Sequence, residues 1–221
     1  MMMALLGGVT LPAGQLALIA NIAPQTASSH LSKLVSGELL AVEQQGRHRY
    51  YRLMNSEVAH AIEALLAVMP PRKRRPEPRS SHPNSANQSL SFARTCYSHL
   101  AGRLAVQIVA LLESRHYLVA CEPRLYEVTK RGRAWFQDFG IPVNETHLKH
   151  PRFARRCLDW TERRPHLAGN LGCALLARFR DLKWIASVRG SRALRVTIQG
   201  QHELQRLFGI HIASGSGHST G

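Results

Sequence analysis

The spacing of apolar side chains changes along this chain, and each change marks an element. Residues 12–20 (PAGQLALIA) repeat apolar positions at helical spacing over a short stretch. Asn21, Ile22 and Ala23 then read as a tight turn. Pro24 suits the first turn of a second helix, where its missing N–H costs nothing. From 24 to 35, Ala27, Leu31 and Leu34 share one face. Gln25, Thr26, Ser28, Ser29, Ser32 and Lys33 take the other, and Gly37 ends the helix. The period then drops to two. Residues 39–43 read as a strand, Gln44-Gln45-Gly46 as a turn, and 47–53 as the returning strand. Alternation puts Arg47 and Arg49 on one face of it and His48 and Tyr50 on the other. His30 adjoins the apolar Ala27 and Leu31 face and reads as a packed, hydrogen-bonded histidine.

Residues 91–221 carry a second kind of regularity, an internal repeat. FARTC at 92–96 matches FARRC at 153–157, and HLAG at 99–102 matches HLAG at 166–169. Val128-Thr129 matches Val196-Thr197, Gly132 matches Gly200, and Phe139-Gly140-Ile141 matches Phe208-Gly209-Ile210. Matches kept in order predict one supersecondary unit used twice, over 91–142 and 152–211. Each copy reads as helix, hairpin, helix. In the first, Leu100, Leu104, Ile108 and Leu111-Leu112 predict a helix, 117–120 and 125–128 a hairpin, and Thr129 the N-cap of a helix stopping at Gly140. In the second, 184–186 and 193–196 form the hairpin around Gly190, with Thr197 as cap and Gly209 as stop. The copies are expected to pack about a pseudo-twofold axis.

The fold class that follows is mainly α with small β-hairpins (α+β), a winged helix-turn-helix plus two winged-helix-like repeats. Its expected organisation is a helix-turn-helix unit at 1–69, a Pro/Ser-rich basic linker at 70–90, the two repeats within 91–212, and a small polar tail at 213–221. No apolar run is long enough for a membrane span, and the apolar start at residues 1–6 lacks the basic flank of a signal peptide. The expected compartment is therefore the cytoplasm. The formal charge of +15 favours polyanions, above all nucleic acid. Its distribution refines that inference. Lys33, Arg47, Arg49 and Arg52 balance Glu38, Glu43, Glu57 and Glu63 over residues 1–69, whereas residues 91–221 hold 20 basic against 9 acidic residues. The basic run at 72–75 serves either as a phosphate contact or as a solvated linker.

The stretches APQTASSHLSKL (23–34) and GRHRYYRL (46–53) resemble the ArsR family of bacterial winged-helix repressors. The resemblance covers residues 1–69. It implies a homodimer that binds a palindromic double-stranded DNA operator in the cytoplasm and leaves it when an inducer binds. It further implies that Gln25, Thr26, Ser28 and Ser29 face bases, and that Lys33, Arg47 and Arg49 hold phosphates. The family has a further helix before the residues seen here, and its usual sensor ligands have no counterpart in this chain. The helix before the turn lacks cysteine, and residues 55–68 offer only Glu57, His60 and Glu63. His60 alone reads as a surface residue.

Four cysteines, Cys96, Cys121, Cys157 and Cys173, are scattered without a CxxC pair, which argues against a disulfide framework or a zinc ribbon. The repeat nevertheless makes Cys96 equivalent to Cys157 and His99 equivalent to His166. Cys96 and His99, three apart, are expected on one helix face. About a pseudo-twofold the thiols would approach each other. Two thiolates with imidazoles suit soft or borderline ions such as Zn, Cd, Pb or As(III), and a thiol pair suits oxidants. The plain reading is that small buried residues recur because the packing recurs. The cluster of Cys157, Asp159, Glu162 and His166 lacks the serine elbow, HExxH or phosphate loop that hydrolysis would need, so no enzyme is expected. The expected function is sequence-specific transcriptional regulation, as a repressor released by a soft metal ion or a thiol-reactive species. The alternative is an architectural protein whose basic second half binds nucleic acid without sequence preference.

Overall fold

The computed structural model describes residues 1–46, 48–68, 90–150, 152–188 and 191–212. Arg47, the basic run within the linker, the Gly190 turn and the tail lie outside the described residues. The chain is an α+β protein with small antiparallel sheets.

The first unit begins with a short 3-10 helix, Met2–Leu5, which drops Leu5 and Leu6 into the core. Strand β1 (Leu11–Pro12) leads into α1 (Ala13–Ala20). Asn21 ends α1 in the left-handed conformation that asparagine tolerates. Helix α2 (Pro24–Ser36) opens with proline in its first turn and closes at Gly37. It buries Ala27 and Leu31 completely. Strands β2 (Leu40–Gln45) and β3 (His48–Leu53) pair in register from Leu40 opposite Leu53 to Gln45 opposite His48. Strand β1 adds to the far edge of β3. Helix α3 (Ser56–Val68) follows, with Asn55 accepting a hydrogen bond from the Val58 N–H at 3.0 Å. Leu5, Leu6, Leu16, Leu31, Leu40, Tyr51, Leu53 and Ala59 make the core of this unit.

The second region contains the expected helices and hairpins, together with two small hairpins that periodicity did not predict. Strands β4 (Arg94–Cys96) and β5 (His99–Ala101) precede α4 (Arg103–Ser114). Strands β8 (Arg155–Leu158) and β9 (Pro165–Ala168) precede α7 (Gly169–Asp181). Leu100, expected in a helix, is therefore a strand residue. Between these lie the hairpin β6 (Leu118–Glu122) and β7 (Leu125–Val128), helix α5 (Lys130–Asp138) and the five-residue α6 (Glu145–Lys149). The hairpin β10 (Ile185–Ser187) and β11 (Leu194–Val196) and helix α8 (Ile198–Phe208) complete the second copy.

Matched positions do matched work. Thr129 accepts a hydrogen bond from the Gly132 N–H at 2.9 Å and donates to the His116 carbonyl at 2.7 Å. Thr197 does the same with Gly200 and Lys183, at 2.9 and 2.7 Å. A Cβ at Gly132 would fall 2.0 Å from the Tyr117 carbonyl oxygen, and one at Gly200 would fall 2.1 Å from that of Trp184. Only glycine lets each capped helix sit that close to its hairpin.

The two matched segments exchange partners. The β6–β7 hairpin of the first continues onto β8 of the second, through Leu125 opposite Arg155. The β10–β11 hairpin of the second continues onto β4 of the first, through Arg94 opposite Ala193. Helix α4 packs on β9, and α7 packs on β5. Trp135, Phe139, Phe179, Trp184 and Phe208 close the shared core, with Phe139 and Trp184 centroids 5.5 Å apart. Such ring pairs add about 0.5–1.5 kcal/mol each beyond burial.

Candidate functional site

The polar face of α2 is exposed: Gln25, Thr26, Ser28, Ser29, Ser32 and Lys33 all reach solvent. His30 is exposed as well, which corrects the expectation that it packs inside. It lies on the α2 surface between Ser29 and Leu31, one step off the stripe that Ala27 and Leu31 bury. Ser28 and Ser32 share an open groove of about 550 Å³ with His48 and Arg49 of the hairpin. Among the described residues, Lys33 and Arg49 have no ion-pair partner, while Arg52 is tied to Glu43 at 2.8 Å. Short polar groups on a helix beside an uncommitted cation are what base-edge and phosphate contacts require.

A second constellation lies where the two copies meet. Cys96 stands opposite His99 across a two-residue turn, and Cys157 stands opposite His166 across a longer one. Cys96 and His99 thus share a β-hairpin, and not a helix face as their spacing suggested. Tyr97 takes φ 54° to make the tight turn. The two hairpins bring the Cys96 and Cys157 sulfurs to 4.0 Å and the His99 and His166 Nε2 atoms to 3.1 Å. One ligand atom from each residue lies within 4.8 Å of the other three, and all four side chains are buried.

A tetrahedron with arms of about 2.3 Å to sulfur and about 2.05 Å to nitrogen has S–S edges of about 3.8 Å and N–N edges of about 3.3 Å. Both are close to the 4.0 and 3.1 Å found here. The longest separation, 4.8 Å, leaves roughly an ångström of contraction. Protonation states also fit. The hydrogen bond from Cys96 holds the Cys157 thiol well below its ordinary range, against burial and with help from His166 and His99. That same bond, with burial, pushes the Cys96 thiol up. Burial holds His99 neutral, lowered to about 4. The directions at Cys157 and His99 run toward thiolate and neutral imidazole, the forms that bind metal.

One orphaned atom points the same way. Nδ1 of His166 is buried without a hydrogen-bond partner, 3.8 Å from Oδ2 of Asp159. An ion on Nε2 would leave the ring proton on Nδ1, facing that carboxylate, which is the usual outer support of a metal-bound histidine. Asp159 is fixed for the task. It pairs with Arg94 at 2.9 Å, both side chains fully buried, and accepts from the Gly102 N–H at 2.7 Å. Burial pushes its carboxyl up, but the Arg94 charge and the Thr161 hydrogen bond outweigh it and hold the group at about 2. Cys121 is exposed, and Cys173 meets Ser98 Oγ at 3.1 Å, so neither joins the cluster.

No family model matches the chain. The chain is 42% identical over 211 residues to the uncharacterized HTH-type transcriptional regulator YdfF of Bacillus subtilis, across 96% of this chain and 91% of that protein. The chain belongs to the HTH-type transcriptional regulators. The regulator thus combines DNA binding with a buried Cys/His cluster, and among its described residues no helix is long and apolar enough to cross a membrane.

His60 of the regulator, expected at the surface, lies elsewhere. It is half-buried, with its ring centroid 5.7 Å from that of His99. It sits in the first unit, whereas the cluster belongs to the second. Two acids on the same helix are likewise engaged: Glu57 pairs with Arg152 at 2.7 Å, and the buried Glu63 pairs with Arg192 at 2.9 Å. The i, i+3, i+6 spacing of Glu57, His60 and Glu63 was the available signal that one face of α3 looks toward a partner.

Proposed function

We propose that this regulator is a repressor whose operator affinity is set by a soft or borderline metal ion held by Cys96, His99, Cys157 and His166. The observation that carries the reading is the burial of two thiols and two imidazoles within 4.8 Å of one another. Zn and Cd suit such a sulfur–nitrogen set, as do Pb and As(III) at its thiols. Within 91–212, one winged-helix-like unit is used twice, and the duplication creates the centre by bringing two Cys/His hairpins face to face. In the first unit α2 is the recognition helix, with Gln25, Thr26, Ser28 and Ser29 facing bases, and the β2–β3 hairpin is the wing. Lys33, Arg47 and Arg49 hold phosphates. A homodimer on a palindromic operator completes the reading. Leu18 and Val68, 81% and 73% exposed, are apolar side chains that a second copy would cover.

The test is a titration of the metal-free protein with Cd(II) and Zn(II), followed by thiolate-to-metal absorption and by binding to a duplex selected from a random library. The expected result is one ion per chain and release of the duplex, both lost in Cys96→Ser/Cys157→Ser. Equal release in that variant and in wild type would remove the centre from the account.

A further inference from the structure

The four ligand residues all belong to the second region, so the effect of an ion on the DNA-reading unit passes through contacts between the two regions. The two regions meet at the β4–β5 turn, where the Tyr97 N–H donates to the Leu6 carbonyl at 2.9 Å, and along α3, where Glu57 and Glu63 are ion-paired to Arg152 and Arg192. His60 lies between the two acids, one turn from each, and rests against the ligand His99 with ring centroids 5.7 Å apart and planes at 43°. Its Nδ1 is shielded from solvent without a hydrogen-bond partner, so contact and not a bond to that atom holds the ring in place.

Metal binding has a geometric consequence at His99. In this arrangement the Nε2 atoms of His99 and His166 share one hydrogen bond at 3.1 Å, so one of them carries the proton. An ion that takes both nitrogens needs both lone pairs. The shared hydrogen bond must then break and the stacked rings, 5.0 Å apart, must turn. Helix α7 runs close to the His99 Cβ on one side, where Gly172 faces it. A Cβ at Gly172 would already lie 3.3 Å from the His99 Cβ. On its other side stands His60.

The same histidine borders a path to the centre. A cleft of about 620 Å³ separates α3 from β8 and β9. His60, Ala61 and Ala64 form one wall, and Cys157, Leu158 and Ala168 form the other. Cys157, 9% exposed, is the one residue of the cluster among those lining this cleft. An ion arriving here passes His60 to reach its first thiolate.

We propose that His60 is the coupling residue of this regulator: an ion enters along the α3 cleft, turns His99 against His60, and so shifts α3 and the hairpin before it. Only Met54 and Asn55 separate β3 from α3, so displacement of the helix is delivered to the strand that carries Arg49. The inference rests on the metal reading above and adds the route by which the ion acts.

The experiment uses full-length wild type, His60→Ala and His60→Gln with Cd(II) as the ion. Two quantities are read: the thiolate–Cd absorption, and the affinity for the selected duplex with and without Cd(II). Wild type is expected to change its DNA affinity by about 5–150-fold, the usual range of coupling between two sites. Both variants are expected to keep wild-type stoichiometry and absorption while the change in affinity falls below about 2-fold, far under that range. The glutamine variant keeps a polar side chain without the ring and decides the matter if the alanine variant loses its cooperative thermal transition. A full Cd(II) response in either folded variant would overturn the coupling role and leave the metal centre standing. Absence of Cd(II) binding by wild type would instead remove the metal centre, and this inference with it.

Discussion

Lys33 and Arg49 are exposed and, among the described residues, have no ion-pair partner, while Arg52 is occupied by Glu43. In the proposed reading Lys33, Arg49 and Arg47, the last adjacent to Gly46 in the sequence, give each protomer three cations for phosphates and the proposed dimer six. Each neutralised phosphate contributes about −0.9 to the slope of log affinity against log salt. The expected slope for the selected duplex is therefore about −5, and raising salt from about 50 to about 200 mM weakens binding about 10³-fold. Arg49→Ala removes two contacts per dimer and flattens the slope by about 1.8, on specific and random duplexes alike. Fluorescence anisotropy at four or five salt concentrations measures both slopes. An unchanged slope in Arg49→Ala refutes the wing assignment. A wild-type slope of about −10 or steeper would show that the basic second region also grips phosphates, as the architectural alternative requires.

Three other predictions are more local. Ser28→Ala is expected to lose about 1–3 kcal/mol of discrimination at one base position while random-sequence binding stays intact, as read by competition with point-substituted duplexes. His30→Ala should change stability by no more than about 0.5 kcal/mol, because the residue is exposed; a urea titration showing a larger loss would mean that it packs after all. Arg94→Met leaves the buried Asp159 charge unpaired and should cost about 3–5 kcal/mol in the same assay. Restoring much of that loss in Arg94→Met/Asp159→Leu would show that the penalty comes from the lone charge, and no recovery would contradict it.

The parts of the structure legible in the sequence are those specified by neighbours in the chain. Pro24 and Gly37 punctuate α2, alternation marks β3, and Thr129 and Thr197 announce the helices they cap. The β4–β5 and β8–β9 hairpins were not legible. Their strands have three or four residues, too few to establish a period, and β4 is completed by Ala193, some hundred positions away. The turn between β4 and β5 uses Tyr97 in a left-handed conformation, with no glycine or asparagine to advertise it. The repeat held one overlooked signal. Gly102 and Gly169, at φ 91° and 78°, end the two HLAG matches and exclude a helix running through them. Pairing Cys96 with Cys157 therefore followed from the repeat, although the local geometry assumed for it was helical. His60 was missed because its partner His99 is 39 positions away and in the other unit.

In the proposed function, a sequence-reading unit answers to an ion held by Cys96, His99, Cys157 and His166. The most direct measurement is the ratio of affinities for the selected and a random duplex, taken at one salt concentration with and without Cd(II). Without metal the ratio should be about 10³ or greater, as for specific regulators. Saturating Cd(II) should lower the affinity for the selected duplex by about 5–150-fold in wild type and leave it unchanged in Cys96→Ser/Cys157→Ser. A ratio near one without metal, or the same metal effect in both proteins, would contradict the account.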